Sequence, residues 1–367
     1  MAKESGAARD EADRRFMAAA LRLSRRHLGL TGTNPSVGTL IVRDGVIVGR
    51  GVTAIGGRPH AEAQALAEAG ELARGATAYV TLEPCAHHGR TPPCANALVD
   101  AGVARVVGAT ADPDERVAGR GYAILRAAGL EVVEGVLAQG AMDQLAGYLT
   151  RSLRKRPEVT LKLALSADGM IGRKGEGQVA VTGPVARTQV HLLRAQSDAI
   201  LIGIGTALAD DPELTVRLPG LEGRSPMRIV LDLDLRLPAT SKLVRTATEV
   251  PTSVACGAAA EARKAELAAL GVRFLATDVF DRRIALPELM DDLAAQGMST
   301  VFVEGGADTA RAFLADDLVD RIVLFRSPVT IGGDGIAAPV DELSIPAGFR
   351  LTREDRFGED MCREWVR

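Results

Sequence analysis

A helical periodicity is the first pattern along the chain. Positions spaced by three to four residues predict an amphipathic helix within residues 11–28. The residues that carry this spacing are Phe16, Met17, Ala20, Leu21, Ser24 and Leu28. The segment before the helix mixes both charge signs, and we predict a flexible tail at residues 1–10.

The next segments alternate between strand and helix patterns. The β-rich runs VGTLIVR and VIVGRG flank Asp44-Gly45, a dipeptide typical of a tight hairpin turn. A helix that stops at Gly70 follows, and then the strand ATAYVTLE, the short helix PPCANALVDAG and the strand ARVVGAT. A further helix and strand complete this part near Gly135. This order predicts a three-layer α/β domain.

A second region begins after a helical segment and the basic stretch RSLRKRP, where Pro157 interrupts the helix. Apolar strands such as VTLKLALS, AILIGIG, MRIVLD and TVFVEGG then alternate with helices. The alternation predicts a mostly parallel sheet covered on both faces. We therefore expect one domain at residues 11–152 and another at residues 153–367.

Composition agrees with this division and narrows the function. The chain has 367 residues, 47% of them hydrophobic and 25% charged, which is ordinary for two folded domains. The net charge is −3, so the chain lacks the excess of basic residues that binds nucleic acid or an anionic membrane. Aromatic residues, on which single-stranded bases stack, make up only 3%. The sequence has no apolar run long enough to span a membrane and no signal-peptide core. We therefore expect a cytoplasmic protein whose four cysteines stay reduced.

Residues with zinc chemistry lie in three segments of the first half. His60 and Glu62 open a predicted helix, Cys85 follows a strand and a proline, and Cys94 lies in the next short helix. A histidine and two thiolates are one ligand set of a catalytic zinc, which keeps a fourth position for water. Zinc deaminases place a glutamate two residues after the histidine, where it moves a proton and does not bind the metal. We expect Glu62 to have that role.

The remaining cysteines and two further histidines have no such companions. We expect Cys256 and Cys362 to be core or surface thiols. We expect His27 and His191, which lie on predicted helices, to be structural or solvated.

The segment TLEPCAHHGRTPPC, with NPSVG at 34–38 and PHAE at 59–62, closely resembles the bifunctional deaminase/reductase family of riboflavin biosynthesis. In this pattern eight residues separate the two cysteines. Downstream, LKLALSADG, LLRAQSDAILIGIGTALADDPELTVR and VFVEGG resemble the reductase half of that family. The resemblance therefore covers nearly the whole chain.

The resemblance implies a cytidine-deaminase-like three-layer α/β domain followed by a dihydrofolate-reductase-like α/β domain. It implies zinc-dependent hydrolytic deamination of 2,5-diamino-6-ribosylamino-4(3H)-pyrimidinone 5′-phosphate, and then NADPH-dependent reduction of the ribosyl side chain to ribityl. It also implies a homodimer. The expected partners are thus small pyrimidine ribosyl phosphates, with Zn²⁺ and NADPH as cofactors, and not nucleic acid or a membrane.

The resemblance extends to single positions of the deaminase half. His60, Cys85 and Cys94 match its zinc ligands, and Glu62 matches its proton donor. The substrate-binding positions are Asn34 at the pyrimidine, and His87 and Arg90 near the phosphate. An amide can pair with a pyrimidine edge, and Arg and His can bind a phosphate. His88 is expected to be a bystander.

In the reductase half the resemblance implies a cleft for both the cofactor and the substrate. The catalytic positions are Lys162, Asp210 and Glu304. The cofactor-binding positions are Ala164, Thr206, Asp210, Gly305 and Gly306. The substrate-binding positions are Arg194, Leu214, Arg217 and Glu304.

The glycines of this half can be interpreted in two ways from the sequence alone. No G-x-G-x-x-G segment opens a βαβ unit, but Gly203-x-Gly205 follows an apolar strand and Gly305-Gly306 precedes a helix. Glycines between a strand and a helix let backbone amides approach a phosphate, or they simply permit a tight turn.

The chain departs from the family pattern at two places. Where members often carry Gly-Glu-Ser-x-Trp-Ile-Thr, residues 175–182 lack both the serine and the tryptophan. That segment lines the cofactor and substrate cleft in the family. Asp114 stands where an asparagine is common near the deaminase substrate, and a carboxylate cannot donate a hydrogen bond as an amide does.

Two other functions agree with parts of the sequence. A nucleic-acid base deaminase shares the zinc motif, but the acidic balance, the few aromatics and the second α/β domain argue against it. The other is a non-enzymatic regulator with a structural zinc and a degenerate dinucleotide-binding half. Glu62 argues against it, because a structural site needs no acid or base and usually has a fourth protein ligand.

Overall fold

The structure is a computed structural model that describes residues 6–86, 92–114, 117–258 and 261–367. It divides into two compact units, Met1–Arg154 and Lys155–Arg367. The division falls close to the domain boundary expected after residue 152. No helix of the described residues is long and apolar enough to span a membrane.

The first unit is a sheet with helices on both faces. Its strands are β1 (Gly38–Arg43), β2 (Val46–Val52), β3 (Thr77–Val80), β4 (Arg105–Gly108) and β5 (Glu131–Val133). Its helices are α1 (Gly6–Ser24), α2 (Ala61–Ala69), α3 (Cys94–Asp100), α4 (Arg120–Ala127), α5 (Ala138–Gln144) and α6 (Ala146–Arg154). The helix α1 begins at Gly6, so residues 6–10, which we had predicted as part of a flexible tail, are helical.

The sheet of this unit has the order β2-β1-β3-β4-β5. Asp44 and Gly45 both have a positive φ, 51° and 77°, and form the predicted turn between the antiparallel strands β1 and β2. The strands β3, β4 and β5 are parallel to one another.

Alternate residues of β1 supply the two cores of the first unit. Leu40 packs with Phe16 and Met17 of α1, whereas Ile41 packs with residues of α2, α3 and α4 on the opposite face. This alternation produces the three layers, and the predicted α/β class is confirmed.

The second unit is built on a larger sheet. Its strands are β6 (Glu158–Leu165), β7 (Met170–Arg173), β8 (Ala199–Gly203), β9 (Met227–Leu231), β10 (Thr252–Ala255), β11 (Arg273–Leu275), β12 (Val279–Phe280), β13 (Arg283–Ile284), β14 (Thr300–Val303), β15 (Arg321–Arg326), β16 (Gly335–Ala337), β17 (Arg350–Phe357) and β18 (Asp360–Val366). Its helices are α7 (Pro184–Ala195), α8 (Ile204–Asp210), α9 (Lys242–Arg245), α10 (Glu261–Ala269), α11 (Leu286–Ala295) and α12 (Ala307–Ala315).

The main sheet of the second unit has the order β11-β10-β9-β8-β14-β6-β15-β18-β17. It is parallel from β11 to β15, as predicted, and apolar cores cover both of its faces. From β8 the chain proceeds through β9 and β10 to one edge, whereas β15 lies on the other side of β6. Ligands of such sheets bind beyond the carboxyl ends of the strands, near this change of direction.

The antiparallel hairpin of β17 and β18 was not predicted. It joins the sheet through β15, and Gly358 has a φ of 68° in its turn. The strand β17 has the sequence RLTREDRF and lies mostly exposed at the edge of the sheet. A charged edge strand carries no apolar alternation, so its pattern does not indicate a strand.

Candidate functional site

The predicted metal ligands come together in the first unit. His60 directly precedes α2, Cys85 follows β3, and Cys94 is the first residue of α3. The Nδ1 atom of His60 lies 3.7 Å from Sγ of Cys85 and 3.4 Å from Sγ of Cys94. All three ligand atoms lie within 4.8 Å of one another. One nitrogen and two sulfurs at these separations fit three corners of a tetrahedral zinc site.

Close backbone packing positions the histidine. A Cβ atom on Gly51 of β2 would lie 2.0 Å from the carbonyl oxygen of Ala61, and one on Gly49 would lie 2.2 Å from that of Ala65. Only glycines let α2 approach the strand so closely. The first turn of α2 is therefore fixed against the sheet, and with it His60 and Glu62.

The thiols and the imidazole influence one another. Hydrogen bonding from the Cys94 thiol and from His60 lowers the pKa of Cys85 to about 4. The pKa of Cys94 is raised, because the neighbouring Cys85 thiolate and burial both disfavour a second negative charge. Hydrogen bonding with Cys85 raises the pKa of His60. The pKa of each group thus depends on its neighbours, which is typical of a cluster whose metal-ligand atoms lie close to one another.

Glu62 lies beside the cluster and is 4% exposed. Burial, together with the charge of Cys85, raises the pKa of its carboxyl group to about 7. The three ligand atoms of the cluster belong to His60, Cys85 and Cys94, and that Glu62 is not a ligand stays a prediction.

Glu83 is a structural residue of this site that the sequence analysis missed. Its buried carboxylate accepts hydrogen bonds from the backbone N–H groups of Gly119 and Gly121, both at 2.9 Å, and of Asp112 and Tyr122, both at 3.3 Å. It thereby ties the loop before α4 to the segment that carries Cys85. The available sequence signal was an acidic residue between an apolar strand and the Pro-Cys pair.

The predicted deaminase substrate residues are partly described. The Asn34 side chain donates a hydrogen bond from Nδ2 to the carbonyl oxygen of Gly57 at 3.1 Å. His87 and Arg90, like His88, lie outside the described residues. The backbone N–H of Asp114 donates to Oδ1 of Asp112 at 2.9 Å.

A cavity of about 2050 Å³ lies in the second unit, beyond the carboxyl ends of β8, β9 and β14. It brings together most of the predicted reductase residues. Those that line it are Lys162, Ala164, Arg194, Thr206, Asp210, Arg217, Glu304, Gly305 and Gly306. Residues of the divergent segment 177–182 also line it.

Leu214 does not line this cavity, although we had predicted it to bind substrate. It is 4% exposed and packs in the apolar core with residues of α7 and α8. Its backbone has a positive φ of 55°. Burial of an apolar side chain explains this placement.

His191, which we predicted to be structural or solvated, lines the cavity. Its Nδ1 accepts a hydrogen bond from the backbone N–H of Arg217 at 3.4 Å. The two remaining cysteines and His27 lie in surroundings that agree with the core or structural roles expected for them. Cys256 and Cys362 are buried core thiols, and His27 has a hydrogen bond of 2.7 Å with the backbone oxygen of Thr53.

Three mostly buried charged residues, Lys162, Arg194 and Glu304, line the cavity. Arg194 binds Glu304 through two hydrogen bonds, Nε to Oε1 at 2.6 Å and Nη2 to Oε2 at 2.9 Å. Burial alone would raise the pKa of Glu304, but Arg194 lowers it below its usual range. Burial lowers the pKa of Lys162, and the charge of Glu304 opposes that shift. Burial also raises the pKa of Asp210.

The glycines of the cavity pack two loops tightly together. A Cβ atom on Gly203 would lie 2.4 Å from Oγ1 of Thr309, and one on Gly305 would lie 2.5 Å from Cβ of Thr309. The backbone N–H of Gly306 donates to Oγ1 of Thr206 at 3.0 Å. These glycines therefore serve close packing, and the Gly306 amide already has a partner within the protein.

Comparison with known proteins relates this geometry to a family. Residues 10–110 match the cytidine and deoxycytidylate deaminase zinc-binding region, and residues 157–363 match the RibD C-terminal domain. The chain belongs to the RibD family. It is a bifunctional deaminase/reductase of riboflavin biosynthesis, with a zinc-binding deaminase domain and a reductase domain.

Curated RibD relatives match over almost their full length. The riboflavin biosynthesis protein RibD of Escherichia coli is 39% identical over 369 residues, covering 96% of this chain and 99% of the relative. That of Aquifex aeolicus is 38% identical over 358 residues, covering 96% of this chain and 97% of the relative.

Solved structures agree with the fold. Acinetobacter baumannii RibD, form 1, superposes with a TM-score of 0.85 at 36% identity, covering 97% of this chain and 99% of that one. A Thermotoga maritima diaminohydroxyphosphoribosylaminopyrimidine deaminase/5-amino-6-(5-phosphoribosylamino)uracil reductase superposes with a TM-score of 0.85 at 31% identity, covering 98% and 99%. Substrates of the nucleotide-like small-molecule class are consistent with these families.

Proposed function

We propose that the first unit deaminates 2,5-diamino-6-ribosylamino-4(3H)-pyrimidinone 5′-phosphate. The observation that carries this proposal is the cluster of His60, Cys85 and Cys94 beside the buried Glu62. A zinc ion held by the three ligand atoms supplies Lewis-acid activation of water. Glu62 accepts a proton from the attacking water and delivers it to the amino group, which leaves as ammonia. Asn34 is assigned to the pyrimidine, and His87 and Arg90 to its phosphate.

The second unit is proposed to reduce the ribosyl group of the deaminated product to ribityl. NADPH supplies the hydride when it is bound. Lys162 holds the proton that accompanies this hydride, because it lines the cavity and its ammonium group interacts electrostatically with Glu304. A volume of about 2050 Å³ exceeds the usual range for one small ligand, so the cavity has room for both a dinucleotide and a substrate.

The arginines of this cavity are assigned to the substrate phosphate. Three of the five N–H groups of Arg194 are used, two on Glu304 and one on the carbonyl oxygen of Thr215 at 3.0 Å. Arg217 is half exposed and pairs with Glu213. Glu304 positions Arg194, while Ala164, Thr206, Asp210 and the two glycines 305–306 are assigned to the cofactor side.

The test is incubation of the full chain with the diaminopyrimidine ribosyl phosphate, followed by mass spectrometry. Without NADPH we expect only the deaminated ribosylamino product, and with NADPH the ribityl product. Glu62→Gln should keep its zinc and lose deamination by at least ~100-fold, since the amide cannot accept the proton. Normal turnover by that variant with zinc bound would refute the proposed role of Glu62. Sedimentation of the intact protein tests the homodimer that is part of this proposal.

A further inference from the structure

A hairpin that lines the reductase cavity has no role in the function proposed so far. The strands β12 and β13 pair in antiparallel register around Asp281 and Arg282, whose φ angles are 46° and 59°. Two successive positive φ angles define a tight hairpin turn that fixes the register of its strands. Phe280 lines the cavity on this hairpin and is 77% exposed.

The register places an arginine beside the exposed ring. Phe280 and Arg283 are directly opposite in the hairpin. Opposite residues project from the same face, with Cβ atoms about 5 Å apart. The cavity surface thus carries an aromatic ring and a guanidinium group side by side.

Arg283 differs from two neighbouring arginines that line the cavity, whereas Arg236, which also lines it, likewise has no ion pair among the described residues. Arg282 lies 3.9 Å from a carboxylate oxygen of Asp234, and Arg311 pairs with Asp308. Within the part of the chain that the structure describes, Arg283 makes no ion pair. A guanidinium that faces a cavity without a carboxylate partner is available to a phosphate group.

The sheet order separates this hairpin from Lys162, the residue to which the proton transfer is assigned. A Cβ atom on Gly257 would lie 2.9 Å from a methyl carbon of Leu233 and 3.3 Å from one of Val279, so the hairpin packs beside the loop that follows β9. In the sheet β9 lies three strand positions from β6, which carries Lys162. At about 4.8 Å for each strand, the separation is ~14 Å. A dinucleotide binds across the carboxyl ends of neighbouring strands in sheets of this kind.

We propose that Phe280 and Arg283 bind the adenosine 2′-phosphate end of NADPH. The ring of Phe280 stacks on the adenine, and the guanidinium of Arg283 binds the 2′-phosphate. This inference rests on the proposed function of the second unit, because it requires the nicotinamide to lie near Lys162. It assigns the preference for NADPH over NADH to Arg283, since NADH lacks that phosphate.

The experiment measures dissociation constants of NADPH and NADH for the full-length protein by titrating the fluorescence of the reduced cofactor. Phe280→Ala should raise both constants about tenfold, because both cofactors carry the adenine. Phe280→Trp should restore both. Arg283→Ala should raise the constant for NADPH about tenfold and leave that for NADH unchanged.

Arg273→Gln is the charge-matched control. Arg273 is exposed on β11 and does not line the cavity, so its loss should leave both dissociation constants unchanged. Thermal unfolding of each variant shows that the second unit is folded. Unchanged constants in Phe280→Ala, or equal weakening of NADPH and NADH in Arg283→Ala, would overturn the inference. If the unaltered protein neither binds nor oxidises NADPH, the proposed function fails instead.

Discussion

Removing one charge of the buried pair between Arg194 and Glu304 should destabilise the second unit strongly. The two side chains are only 12% and 10% exposed. Glu304→Gln keeps the shape of the side chain but removes its charge. Arg194 and the mostly buried Lys162 then lie together without that anion, which is costly because water reaches only a small part of each side chain.

The size of the effect follows from this burial. Loss of one partner of a buried pair costs ~3–5 kcal/mol. For a domain of this length each kcal/mol lowers the unfolding midpoint by roughly 2–4 °C, so we expect a fall of roughly 6–20 °C. The exposed pair of Arg263 and Glu266 is the control. Glu266 is 52% exposed, and Glu266→Gln should change stability by less than about 1 kcal/mol.

The chain provides a selective probe for this measurement. Trp365 is its single tryptophan and lies in β18, whereas the tyrosines belong to the first unit. Denaturant unfolding followed by tryptophan fluorescence therefore reports the second unit alone. The double variant Arg194→Met/Glu304→Leu should lose about 0.5–3 kcal/mol less than the sum of the single variants Arg194→Met and Glu304→Leu. Additive losses, or an unchanged midpoint in Glu304→Gln, would refute the reasoning.

Three further predictions concern the metal site, the second unit alone and acid stability. Cys94→Ser should reduce the metal content from about one zinc per chain to almost none, measured by atomic absorption, and full content would remove Cys94 from the ligand set. A fragment of residues 155–367 retains the buried pair of Arg156 and Asp320, so it should fold and oxidise NADPH with the deaminated substrate but not with the diamino substrate. An inactive but folded fragment would show that this unit depends on the first. Hydrogen bonds from Ser166 and from two backbone N–H groups lower the pKa of Asp168 to about 2, so its stabilising contribution is present above its ordinary pKa of ~3.9 and is lost as the pH falls towards 2. Asp168→Asn should therefore be less stable than the unaltered protein at neutral pH, and urea titrations should show this difference disappearing between about pH 4 and pH 2.

Local patterns in the sequence were sufficient to predict the candidate metal cluster and the fold class. The residue types at 60, 62, 85 and 94 specify one nitrogen, two sulfurs and a carboxylate, and their chemistry is the same before and after folding. The Asp44-Gly45 turn and the alternation of apolar strands with helices are likewise properties of neighbouring residues. Such features depend on side-chain period and backbone preference, which are visible in a short window.

Tertiary structure alone decided the features that depend on contacts between distant segments. Glu83 reaches backbone groups near Gly121, and Thr206 takes the amide of Gly306, across long stretches of chain. Leu214 lies in the core and Phe280 lies exposed on the cavity, although both are apolar. The sequence by itself determined which chemistry is present. Packing and strand order decided which side chains contact one another, because a buried side chain packs against elements that lie far apart in the chain.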